Sequence, residues 1–149
     1  MKINKCIIIV ILLLFKTIAG VSQIKSNDEL VKQFVKSVFF ENKPAKFVAD
    51  NYMQFELVEG YSMNDRIKIL SKHLKKIKNE KNELFDLANV SVISYNEYND
   101  DKVNFLKSKE SIYILTNRNN PLMYFYIQNS KIIAFDYITK GNEGLFITY

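Results

Sequence analysis

Cysteine and histidine are almost missing from these 149 residues, and both absences narrow the chemistry. The single cysteine, Cys6, opens an apolar run that ends at Phe15. That run follows the positive start Met1-Lys2-Ile3-Asn4-Lys5 and leads through Lys16 to the small residues Ala19, Gly20 and Ser22. A basic start, a short apolar stretch and a small-x-small exit read as a secretory signal over residues 1–22, cleaved near Gln23. Crossing a bilayer takes about 20 apolar residues, and this run is too short to serve as an anchor. No later apolar run is long enough either. After cleavage no thiol remains, which excludes disulfides and cysteine metal sites. One histidine, His73, with no cysteine makes a zinc centre untenable, and no metal or other cofactor is expected. The nucleophile elbow G-x-S-x-G does not occur. Repeats, low-complexity tracts and linkers are also lacking, so residues 23–149 are expected to form one domain.

Basic character is weaker than the whole chain suggests. The formal charge of +5 includes Lys2, Lys5 and Lys16, and no acid leaves with them, so the exported part carries +2. That bias is too small for a nucleic-acid-binding domain. It is nevertheless unevenly spread. Arg66, Lys68, Lys72, Lys75, Lys76, Lys78 and Lys81 face only Asp65 and Glu80 in one segment, which leaves the rest of the exported chain acidic.

Apolar spacing predicts three helices. Leu30, Val31, Phe34, Val35, Val38 and Phe39 share a helical face after a capping-box pair, Ser26 and Glu29. Phe47, Val48, Asn51 and Tyr52 form a shorter second helix behind Pro44. Ser62 and Asp65 repeat the capping spacing, and Met63, Ile67, Leu70, Leu74 and Ile77 draw a narrow seam over residues 63–79. Met53, Phe55 and Leu57 alternate as a short strand between the second and third helices.

The rest of the chain is rich in β-branched and aromatic residues between Asn/Asp/Gly turn signals. Strands are expected at residues 90–98, 103–106, 111–116, 122–128, 131–138 and 145–149. Asn129-Ser130 reads as a two-residue hairpin loop. Helices first and antiparallel strands afterwards make an α+β domain, three helices packed on a curved antiparallel sheet of about five to six strands. That element order, over about residues 27–149, resembles the nuclear-transport-factor-two-like superfamily, in which helices close over a curved sheet to form a cone. The resemblance implies either a small-ligand or isomerase/dehydratase-type pocket or a non-catalytic binding and dimerisation domain.

Candidate sites follow from the hairpin register. With the turn at residues 129–130, Met123, Phe125, Ile127, Ile132, Ala134 and Asp136 fall on one face, and Tyr124, Tyr126, Ile133, Phe135 and Tyr137 on the other. The first face offers a ligand pocket of Met123, Phe125 and Ala134 around the carboxylate Asp136, a candidate base. The second offers Tyr124, Tyr126, Phe135 and Tyr137 as a homodimer or protein-partner interface, since helices can cover only one side. His73, at the margin of the third-helix seam, is a second candidate for acid–base work, although nothing in the sequence sets an acid beside it. The lysines of that helix form a basic face for an anionic partner. Asn96 to Asp101 lacks the glycine and distal glutamate of a calcium loop. The absence of a convergent catalytic set points to an exported, non-catalytic binding or dimerisation module. A carrier or pocket enzyme centred on Asp136 is the alternative.

Overall fold

The computed structural model describes residues 26–56, 59–81 and 89–149, and the expected signal segment and Leu57 lie outside them. Helix α1 spans Asn27–Val35 and continues as a π-helical turn, Lys36–Phe40. The expected capping box does not form at its start: Ser26 is the N-cap residue without a side-chain cap bond, and its hydroxyl instead serves Asp28. The π turn buries Ser37, whose hydroxyl meets the Tyr52 hydroxyl at 2.8 Å. Asn42, at φ 54°, reverses the chain in the left-handed region that Asn tolerates better than most residues. Helix α2 spans Ala45–Tyr52. Helix α3 spans Met63–Lys81, and here the capping pair is made: the Asp65 N–H donates to Ser62 Oγ at 3.2 Å.

The seam of α3 holds from Ile67 to Ile77, and Arg66 joins it in place of Met63. Arg66, Leu70, Leu74 and Ile77 are buried, while Met63 is 59% exposed. A row of 66, 70, 74 and 77 also has helical spacing, and the guanidinium finds internal carbonyls that make its burial tolerable.

Among the described residues seven strands follow: β1 (Val90–Ser94), β2 (Asn104–Phe105), β3 (Ile112–Asn117), β4 (Asn120–Gln128), β5 (Lys131–Ala134), β6 (Tyr137–Lys140) and β7 (Glu143–Phe146). They form two sheets in place of one. An antiparallel sheet has the order β1-β3-β4-β5, and a smaller one the order β2-β7-β6, in which β2 and β7 run parallel. The expected strand around Met53 is reduced to a single bridge to Ile132. The expected strand 131–138 breaks at Phe135 and Asp136, and its two halves belong to different sheets.

The hairpin at Asn129-Ser130 forms as expected, with both residues at positive φ and Ile127 opposite Ile132. One residue further the register slips: Tyr126, not Phe125, pairs with Ala134. Ile133 is the extra residue of a β-bulge, and it moves Ala134 and Phe135 to the faces opposite the expected ones. Ile133 and Ala134 both join Tyr124 and Tyr126, whereas Phe135 crosses to the helix side with Met123 and Phe125.

Two cores result. The helix-side core packs Val31, Phe34, Val35, Leu70 and Ile77 against Leu115, Phe125, Ile132 and Phe135. The second core lies on the opposite face of the four-stranded sheet and is covered by the chain itself. Phe105 stacks on Phe146 with centroids 4.3 Å apart, and Phe146 stacks on Tyr126. Gly144 makes this possible, because a Cβ there would lie 2.6 Å from the Phe105 ring. The connection from β1 is pinned by tyrosine hydroxyls: Tyr95 donates to the Val103 carbonyl at 3.0 Å and Tyr98 to the Asn119 carbonyl at 2.8 Å.

Candidate functional site

The two residues singled out for acid–base work come together. His73, from the middle of α3, places Nε2 2.7 Å from Oδ2 of Asp136, in the break between β5 and β6. A third residue completes the row, since the Tyr149 hydroxyl hydrogen-bonds the other ring nitrogen, Nδ1. The imidazole packs against Phe135 at 5.4 Å and against the Tyr149 ring at 5.5 Å, and Phe135 and Tyr149 stack on each other.

The protein positions each member by ordinary local bonding. The break in the strand at Asp136 turns its side chain toward α3, and the Tyr137 N–H donates to Asp136 Oδ1 at 2.9 Å. The Asp136 carbonyl accepts from the Ile147 N–H at 3.0 Å, which lays the last residues beside it. Arg66 then ties down the end of this segment, donating from Nη1 to the Tyr149 carbonyl at 2.7 Å and also to the Glu56 carbonyl.

The electrostatics fix the direction of the row. Burial pushes the Asp136 carboxyl upward, but hydrogen bonds from His73 and the Tyr137 N–H outweigh it and hold the group below its ordinary value. An ionised carboxylate only accepts, so Nε2 carries a proton toward it. On the other side Nδ1 meets the Tyr149 hydroxyl. Burial, helped by the Asp136 charge, pushes the Tyr149 phenol far above its usual value and keeps its proton in place. Carboxylate, imidazole and hydroxyl stand in the order that activates a hydroxyl nucleophile. Here the hydroxyl is a phenol held firmly protonated, on a residue only 7% exposed.

The other expected pocket residues do not gather around Asp136. Met123 and Phe125 are packed in the helix-side core and Ala134 in the second core, on opposite faces of the sheet. The bulge at Ile133 is the cause. It likewise divides the expected interface: Phe135 lies in the helix-side core, while Tyr124 and Tyr126 are buried under Phe105 and Phe146. Tyr137 is half-buried against Phe105. These rings are therefore covered by their own chain and form no open patch.

The basic face of α3 is divided as well. Arg66 is buried and belongs to the polar cluster. Lys68 pairs with Asp65 and Lys76 with Glu80, both at 3.7 Å, and Lys78 donates to the Asn42 side chain. Lys72 and Lys75 are exposed and have no ion pair among the described residues. Tyr149 and Arg66 are the members of the polar cluster missed in the sequence. Arg66 had a signal, its four-residue step from Leu70, whereas nothing in the spacing marks Tyr149.

Among the described residues no group of three or more His, Cys, Asp or Glu could hold a metal ion, and no helix is long and apolar enough to cross a membrane. Comparison of the chain with known protein families, curated proteins and solved structures returned no match.

Proposed function

We propose that the chain is an exported, non-catalytic binding module that meets an anionic partner through the exposed lysines of α3. The observation that carries this reading is the enclosure of His73. Both of its ring nitrogens are engaged within the fold, by Asp136 and Tyr149, and its ring is packed between aromatic neighbours. A general base must reach the proton of a reactant, directly or through a hydroxyl open to one, and the hydroxyl at His73 is the buried phenol of Tyr149. Burial pushes that phenol far above its usual value. The cluster instead fastens α3, the β5–β6 break and the last residues of the chain together. Lys72 and Lys75 are left as unpaired charge on a rigid helix, which suits docking of an acidic surface. The order of three helices before the strands supports a place in the nuclear-transport-factor-two-like superfamily, where binding domains of this kind are common.

The test is capture of partners from the envelope or medium by the exported protein at increasing salt. Retention should fall steeply between about 50 and 300 mM salt, because charges beyond about 8–10 Å are screened there. Lys72→Glu combined with Lys76→Glu should abolish it at unchanged fold. A partner retained by this variant would refute the reading. Turnover of a small substrate that is lost in His73→Gln would favour the pocket-enzyme alternative.

A further inference from the structure

One pocket on the described surface concentrates charge of a single sign. It has a volume of about 230 Å³ and lies between the start of α2 and the middle of α3. Lys43 and Ala45 line it from the α2 side, and Ser71, Lys75, Lys78 and Asn79 from α3. Three lysines thus line one small space from two separate elements, Lys43 with its ammonium also over the Phe47 ring and Lys78 with its own on the Asn42 side chain. Glu41 is the acid nearest to them in the ion pairs, 3.6 Å from Lys43 and 3.4 Å from Lys36. Set against the three lining lysines, it leaves an excess of two positive charges.

From these observations we infer that the pocket binds the dianionic head of a phosphate monoester, and this rests on the binding-module reading by naming the group the partner carries. The size is right for a head group alone, being below the roughly 300–1,000 Å³ of sites that enclose drug-sized ligands. The donors fit as well. Lysine serves phosphate as a point charge, and a tetrahedral oxyanion accepts donors from several directions at once. A carboxylate would instead favour the planar fork of an arginine, and none lines the pocket. The Ser71 hydroxyl and Asn79 amide supply neutral donors at its wall. No aromatic ring is among the described lining residues, so a nucleobase has no stacking surface, and recognition is of the phosphate. A phosphate monoester carries about −1.5 to −2 at pH 7, which matches the local excess.

The experiment uses the chain expressed with its leader, recovered after export and isotopically labelled. Backbone amide resonances are followed during titration with inorganic phosphate, with glycerol phosphate, and with sodium chloride at equal ionic strength. Both phosphates should move the resonances of Ala45, Lys75 and Asn79 saturably, while chloride leaves them in place. Saturable binding of glycerol phosphate, at least as tight as that of inorganic phosphate, supports the ester head, and response to inorganic phosphate alone overturns it. Lys75→Gln and Lys43→Gln should each weaken binding about tenfold, the loss of one charge-assisted contact. Lys140→Gln, on β6 outside the pocket, should change it less than about twofold by the same measure. Absence of saturable shifts at the pocket, or an equal effect of chloride, overturns the inference. Either result, with partner capture still lost in the Lys72/Lys76 variant, leaves the docking face itself standing.

Discussion

At the scale of single residues, His73, Asp136 and Tyr149 act as one unit, and the consequences are specific. Tyr149→Phe leaves Nδ1 of His73 without its hydrogen-bond partner in a nearly closed environment, which should cost about 1–3 kcal/mol in urea unfolding. The pH dependence has two limbs of opposite sign. The folded-state pKa of Asp136 is lowered, so its contribution is present above the ordinary carboxylate value and is lost as pH falls below about 4. Asp136→Asn should therefore flatten the acid limb. Burial raises the phenols of Tyr149, Tyr124, Tyr137 and Tyr95, so their contribution is complete below about pH 10 and is lost as pH rises beyond it. The share of phenolate absorbance that belongs to these four rings should then appear together with loss of structure, not before it. His73 and Asp136 each stood out in the sequence as odd polar residues among apolar neighbours. Their pairing did not, because 63 positions separate them and only the break between β5 and β6 turns the carboxylate to the helix.

At the scale of elements, the parts that local periodicity controls were legible and the parts that depend on one extra residue were not. The three helices follow from apolar spacing, and the hairpin from Asn129-Ser130, whose positive φ values suit Asn better than most residues. The bulge at Ile133 leaves no trace in a run as uniformly apolar as Ile132-Ile133-Ala134-Phe135, so the spacing puts Ala134 and Phe135 on the wrong faces while Asp136 and Tyr137 keep theirs. The split into two sheets was hidden for a related reason. Strand β2 is only two residues long, and its pairing with β7 depends on the close approach of Phe105 to Gly144. Gly144→Ala must push Phe105 off its stack with Phe146, and about 1–3 kcal/mol of stability should be lost in a denaturant titration. Ordinary surface substitutions on β6, such as Lys140→Gln, should stay within about 0.5 kcal/mol.

At the scale of the whole molecule, both faces of the four-stranded sheet are covered by the chain, the helices on one side and the segment 95–105 with β7 on the other. Aromatic content that looked like a waiting interface is spent on a second core. Tyr126→Lys should thus unfold the chain by at least about 3 kcal/mol, as loss of a large buried ring does, and should not yield a stable folded monomer. The densest run of exposed lysines among the described residues, Lys68, Lys72, Lys75 and Lys76, lies on α3. The division of labour between a polar cluster that holds the fold and a lysine surface left free to bind is tested most directly by one measurement, the urea midpoint of Tyr149→Phe beside that of Lys75→Glu. The expected result is a clear drop for Tyr149→Phe and a change within about 0.5 kcal/mol for Lys75→Glu. An unchanged midpoint for Tyr149→Phe, with a large loss for Lys75→Glu, would contradict it.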